Sequence, residues 1–160
     1  MTVTGEFDAD ELAGVIDLFG ALTPSELESA LDELAFKRGE SVDAEAVADA
    51  VDDAVASYAV GRYRADDRTL LVAGPAAFPT LPDGAEDLPH ILDVPDRNVD
   101  RAAAAEAVAD RLRAEAATAV DAGDERAVRR LLDVTYDVEV WFDAVAVDDV
   151  RERLDAAADG

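Results

Sequence analysis

The amino-acid sequence predicts a mostly α-helical protein that contains one β-hairpin. Apolar side chains recur at helical spacing through most of the 160 residues, and helix-start signals precede several of these runs. One short region, residues 58–73, is instead rich in residues that favour strands. Half of the residues are apolar, which is enough to build a buried core.

The first two helices have clear starting signals. Asp8 can cap the first helix, because Glu11 stands where it would complete a capping box, and Gly20 ends the run. Thr23 and Glu26 form the same pattern at the start of the second helix. The inward-facing positions are Leu12, Val15, Ile16 and Phe19 in the first helix and Leu27, Ala30, Leu31 and Leu34 in the second.

A third helix precedes the predicted hairpin. Either Ser41 or Asp43 opens this helix, since both residue types favour the N-cap position. Residues 58–64 and 69–73 favour strands, and residues 65–68 between them form the predicted turn. The apolar stripe of the third helix is Val47, Ala50, Val51, Ala54, Val55 and Tyr58.

Three helices followed by a hairpin resemble the winged helix-turn-helix family, over residues 8–78. The resemblance rests on the order of the elements, without a diagnostic motif. It implies that the hairpin is a wing, an element that often touches phosphate. The candidate nucleic-acid-binding residues are then Arg62, Arg64 and Arg68. The alternative is that these arginines pair with Asp66 and Asp67 on a solvated turn.

The third helix departs from the pattern of a DNA reader. Base edges are contacted mostly by Arg, Lys, Asn and Gln, and none of these occurs from Asp43 to Tyr58. The helix would instead present acidic side chains to the phosphates, at Asp43, Glu45, Asp49, Asp52 and Asp53. We therefore expect no sequence-specific DNA binding through this helix, and we expect its grooves to receive another protein.

The segment after the hairpin is predicted to be a connector. Five prolines between residues 74 and 98 argue against regular secondary structure there. Asn98 is the expected cap of a long helix that ends near Val120, and Gly123 and Asp124 predict a stop and a new cap. The side chains expected to pack the connector are Phe78, Leu81, Leu88, Ile91 and Leu92.

The region from Asp124 onward allows two interpretations. Residues 134–142 alternate like a strand, but a helical apolar pattern runs through twice that length and needs no strand partner. We favour a helix, and we expect Asp148 to cap a final short one. The predicted domains are a winged-helix-like unit (residues 1–80), a Pro-rich connector (81–97) and a helical unit (98–160). The alternative is one compact domain.

The composition indicates the kind of solution in which the protein works. Acidic residues outnumber basic ones by 38 to 14, for a net charge of −24; Lys37 is the only lysine, and cysteine is absent. This resembles the acidic proteins of salt-in haloarchaea, because molar salt screens such repulsion. The alternative is a mesophilic acidic interaction protein. The sequence predicts neither a secretory leader nor a membrane span, so we expect a cytoplasmic protein.

No residue pattern predicts catalysis, a metal or a cofactor. His90 is the single histidine, and without cysteine no second soft ligand can complete a zinc site. Phosphate-binding loops, dinucleotide fingerprints and nucleophile elbows are absent from the sequence. We predict that the protein is not an enzyme. The alternative is an enzyme whose site is too dispersed to see.

Two features of the second half concern partners. Tyr136, Trp141 and Phe142 gather aromatic side chains, and Trp141 is the candidate partner contact if it is exposed. Three arginines at helical spacing, Arg126, Arg129 and Arg130, form a small basic patch for which we expect intrahelical pairing with neighbouring acids.

The sequence thus favours a non-enzymatic protein-interaction or regulatory module of a halophile. Its partner would be another protein or a second copy in a homodimer. The alternative is a winged-helix DNA-binding transcription regulator that contacts phosphate through its wing.

Overall fold

A computed structural model gives the fold of residues 7–94 and 99–159. Among these residues it contains seven α-helices and one antiparallel hairpin, which confirms the predicted mostly α fold class. The chain divides into two units, Met1–Val99 and Asp100–Gly160. None of the helices in the described ranges is both long and apolar enough to cross a membrane.

The first unit begins with three helices whose caps follow from the sequence. They are α1 (Ala9–Phe19), α2 (Pro24–Lys37) and α3 (Ala44–Ala56). Asp8 and Thr23 each form the predicted capping box with the glutamate three residues later. Of the two candidates for the third cap, Asp43 fills the position, since its carboxylate accepts from the N–H of Glu45 at 3.3 Å.

The hairpin has a tighter turn than predicted. Its strands are β1 (Val60–Ala65) and β2 (Arg68–Ala73), so only Asp66 and Asp67 remain in the loop. Both have positive φ, 51° and 64°, which is the type I′ geometry that suits a two-residue hairpin. Tyr58 lies in neither α3 nor β1, contrary to prediction, because its φ of 65° breaks both elements.

A backbone bridge ties the α1–α2 connection to the hairpin. Leu22 donates to the carbonyl of Leu71 at 3.1 Å and accepts from the N–H of Leu71 at 2.8 Å. Both side chains are fully buried in the core of the first unit. The bridge fixes β2 against the helices, since both backbone polar groups would otherwise be buried without partners.

The Pro-rich segment is not the irregular connector that the sequence predicts. A 3₁₀ turn occupies Ala85–Asp87 and α4 occupies Leu88–Ile91. Pro89 sits in the first turn of α4, where its missing N–H costs nothing, so the prolines did not exclude a helix. Ala85 and Leu88 belong to the core of the first unit. Of the other expected packing residues, Leu92 is partly buried, while Phe78, Leu81 and Ile91 are exposed.

Part of this segment runs directly along α1. A Cβ on Gly14 would collide with the carbonyl oxygen of Thr80, so only glycine allows the two backbones to approach this closely. Thr80 donates its N–H to the carbonyl of Asp10 at 3.0 Å, and Phe78 donates to the Asp10 carboxylate at 3.1 Å. These contacts hold residues 78–80 against the first helix.

The second unit contains three helices. They are α5 (Arg101–Ala122), α6 (Glu125–Trp141) and α7 (Asp148–Asp159). The helical interpretation of residues 134–141 is confirmed, and the strand alternative is wrong. Asp100 caps α5, whereas the predicted cap Asn98 lies outside the described residues. Asp148 is the first residue of α7, where it was expected to be the cap.

Truncating Leu31 tests the apolar face of α2. This residue is only 1% exposed and belongs to the core cluster, so Leu31→Ala should leave a cavity and lower the unfolding free energy by about 2–5 kcal/mol. Denaturant titration in molar KCl measures the loss. Phe36→Ala on the same helix is the control; Phe36 is 77% exposed and should cost no more than about 0.5 kcal/mol. A loss below about 1 kcal/mol at Leu31 would show that this face is not core.

Candidate functional site

The hairpin does not bring the three candidate arginines onto one face, because its register places Arg62 and Arg64 on one side and Arg68 on the other. Arg62 and Arg64 lie on β1 and Arg68 begins β2, and all three side chains are exposed. Arg62 forms an ion pair with Asp52 of α3, with Nη1 3.2 Å from the carboxylate oxygen. The charge of Arg62 is therefore directed to the protein's own third helix.

The other two arginines lie close to the turn. Arg64 donates from Nη2 to the backbone carbonyl of Asp67 at 3.2 Å. Arg68 makes no hydrogen bond or ion pair with the part of the chain that the structure describes. The arginines therefore do not pair with the side chains of Asp66 and Asp67 as expected. Arg64 instead bonds a backbone carbonyl, and Arg62 forms an ion pair with α3.

The outward side of α3 is acidic. Val47, Val51 and Val55 face the core, and the acidic side chains point to solvent. Helical spacing brings four of them onto one face, which we call the acidic ridge: Glu45, Asp49, Asp52 and Asp53. Ionised carboxylates only accept hydrogen bonds, so this ridge suits a partner that offers cationic or N–H donors.

Trp141 is the predicted partner contact, and the structure places it at the last turn of α6. The residue is half-buried, and its carbonyl accepts from Arg101 Nη2 at 3.2 Å. Two neighbours on α6 are more accessible: Tyr136 is 54% exposed and Val140 is 90% exposed. From the sequence, Tyr136 was named in the aromatic cluster but its exposure was not predicted, and Val140 was missed, because the competing strand pattern obscured which residues face outward.

A junction between α6 and α7 was also missed. Arg151 of α7 is the centre of this junction, and its guanidinium donates from Nε to Thr135 Oγ1 at 3.0 Å and from Nη2 to the Thr135 carbonyl at 3.1 Å. Its Nη1 donates to Glu139 at 2.7 Å, and the guanidinium carbon lies 4.1 Å from the centre of the Tyr136 ring. The hydrogen bond to Glu139 is the main cause that raises the pKa of Arg151 above its ordinary value.

The clefts of the second unit contain few groups that could do chemistry. A cleft of about 330 Å³ between α5 and α6 is lined by four alanines, Thr118 and Leu131, together with Glu115, Asp124 and Arg130. Glu115 is paired with Arg111 at 2.8 Å and with Arg130 at 3.9 Å. His90 is exposed on α4 in the other unit. Within the described ranges, no three side chains of His, Asp or Glu are grouped to hold a metal ion.

Comparison with known proteins places the chain in a family. A model of a family of unknown function (DUF7109) matches residues 10–159, and the protein therefore belongs to this family. No curated protein matches the chain, and no solved structure matches it.

Removing Arg151 tests the α6–α7 junction. Its side chain is only 16% exposed and makes three hydrogen bonds, so Arg151→Ala should lower the unfolding free energy by about 2–3 kcal/mol. The unfolding free energy of Arg151→Lys should lie between those of the natural chain and Arg151→Ala. An ammonium group keeps the charge but cannot donate the same set of hydrogen bonds as a guanidinium. The exposed Arg153 on the same helix is the control, and Arg153→Ala should change stability by less than about 0.5 kcal/mol. Denaturant titration in which Arg151→Ala matched this control would contradict the junction.

Proposed function

We propose that this protein is a non-enzymatic interaction or regulatory module of a halophile, and that its N-terminal unit binds another protein through the acidic ridge of α3. The observation that carries the proposal is the orientation of charge on this unit. The ridge is exposed, and Arg62 of the hairpin forms an ion pair with one of its members, Asp52.

The proposed unit is winged-helix-like. Three helices precede a hairpin, and the Leu22–Leu71 bridge joins the α1–α2 connection to the edge of β2. A wing needs such an attachment, because an isolated two-stranded hairpin is marginally stable in water. The third helix then holds the position from which a DNA-binding relative would read bases.

The chemistry of this helix favours a protein partner over DNA. Neutralisation of phosphates supplies most of the affinity for DNA, and four adjacent carboxylates would oppose it. The same carboxylates would form charge-assisted hydrogen bonds with arginines or backbone N–H groups of a protein. Arg64 and Arg68 could still touch phosphate, and this is what the alternative, a DNA-binding regulator, requires.

The net charge of the chain supports the proposed halophilic setting. A net charge of −24 on 160 residues opposes a compact state unless salt screens it. We propose a cytoplasm that contains molar KCl as the working environment. Experiments on partners therefore belong in molar KCl, where the fold and the contact surfaces are present together.

Binding to DNA separates the proposal from its alternative. We expect binding weaker than about 10 μM and without sequence preference, because high salt removes the gain from counterion release. Fluorescence anisotropy against a pool of fragments from the source genome in molar KCl measures it. The control changes Arg62, Arg64 and Arg68 together to Ser. Submicromolar, sequence-selective binding that this triple change abolishes would support the DNA-binding regulator and overturn the proposal.

The test of protein binding compares two double variants that have the same net charge. Asp49→Asn with Asp53→Asn removes half of the ridge and leaves the Arg62–Asp52 pair in place. Asp17→Asn with Asp32→Asn removes two exposed acids of α1 and α2 and is the matched control. Capture from native extract in molar KCl should lose the partner with the ridge variant and keep it with the control. Equal capture by both variants would exclude the ridge as the binding surface.

A further inference from the structure

The outer face of α6 is divided into a basic half and an acidic half. Its first half carries Arg126, Arg129 and Arg130, and its second half carries Asp133 and Asp137; all five side chains are exposed. Spacings of three, four and seven residues place them along one side of the helix, opposite the buried Val128, Leu131, Val134, Thr135 and Val138. Three of the 14 basic residues of the chain lie here, in a chain that has 38 acidic residues.

Intrahelical pairing does not use up this charge. Arg126 and Arg129 make no hydrogen bond or ion pair within residues 7–94 and 99–159, and Arg130 lies 3.9 Å from Glu115 of α5. The negative charge of Asp137 is also disfavoured where it lies, because partial burial and the nearby charge of Asp133 raise the pKa of its carboxyl group. Arg126 and Asp137 are eleven residues apart on α6, so these two charges can meet only across two helices.

Apolar side chains lie beside the acidic half. Tyr136 and Val140 are one helical turn apart, and their exposed fractions are 54% and 90%. Ala122, the last residue of α5, is also exposed, just before α6 begins. A surface that combines charge of both signs with exposed apolar groups is suited to bury itself against a complementary surface.

We propose that α6 docks antiparallel onto α6 of a second copy of this chain. An antiparallel pairing centred between Leu131 and Leu132 puts Arg126 opposite Asp137 and Arg130 opposite Asp133. The same alignment brings Val140 near Ala122. Each contact occurs twice, because a two-fold interface uses the same patch on both subunits. This inference does not rest on the proposed function, since the acidic ridge of α3 is a separate surface.

Salt sets the balance of this contact. Two copies with a net charge of −24 each repel over a Debye length of ~10 Å at 0.1 M salt, which shortens to ~3 Å at 1 M. Molar KCl therefore removes most of the long-range repulsion, while apolar contacts and ion pairs at contact distance remain. The dimer should therefore be strongest in high salt. An interface driven by charge steering would have the opposite salt dependence.

The first experiment measures the mass of the full chain by sedimentation equilibrium in molar KCl over a range of concentrations. We expect a dimer that dissociates on dilution, and Val140→Ser should weaken it about tenfold because an apolar contact is lost at both ends of the interface. Phe36→Ser, which removes an equally exposed apolar side chain from α2, is the control and should leave the dimer unchanged. A monomer at all concentrations would overturn the proposal, and so would a dimer that ignores Val140→Ser.

The second experiment exchanges charge between the two halves. Arg126→Asp alone sets two like-charged pairs of carboxylates against each other, and Asp137→Arg alone does the same with arginines. Each variant by itself should dimerise about tenfold more weakly than the natural chain. An equimolar mixture should form the heterodimer with nearly full affinity, because both pairs are then restored. Thermal melting of each variant shows whether it folds. Two folded variants that dimerise normally alone, or fail to recover in the mixture, would overturn the antiparallel alignment.

Discussion

Mutual repulsion among 38 carboxylates is the constraint that the rest of this structure must meet. The folded state of a small protein is favoured by only about 5–15 kcal/mol, so unscreened repulsion of this size competes directly with burial. Several of the few arginines are therefore placed where they tie elements together. Arg62 joins β1 to α3, Arg151 joins α7 to α6, and Arg113 of α5 donates to the carbonyl of Ala146 at 3.0 Å ahead of α7.

This use of arginine also shapes the surfaces that remain. Because Arg62 is drawn to Asp52, its charge is used inside the first unit, and the other three side chains of the acidic ridge remain exposed. The outer face of α6 is the contrasting case, since Arg126 and Arg129 have no partner within the ranges the structure describes. One surface is thus acidic, and the other contains both signs of charge.

Local signals predicted the helices well and the long-range contacts poorly. The capping boxes at Asp8 and Thr23 involve residues three apart, so the sequence alone could place them. The Leu22–Leu71 bridge joins residues 49 positions apart, and no local pattern marks it. The same holds for the candidate sites. The acidic side of α3 was predictable from helical spacing, whereas the pairing of Arg62 with Asp52 and the junction at Arg151 depend on how elements pack. The short α4 was missed because proline was treated only as a helix breaker.

The thermal midpoint as a function of KCl concentration tests the charge constraint most directly. The Debye length grows from ~3 Å at 1 M to ~10 Å at 0.1 M salt, so repulsion among the exposed carboxylates should rise as salt is diluted. Circular dichroism of the full chain, at one protein concentration throughout, gives the midpoint at each step. We expect it to fall continuously as KCl is lowered. A midpoint that stays flat or rises on dilution would contradict the account.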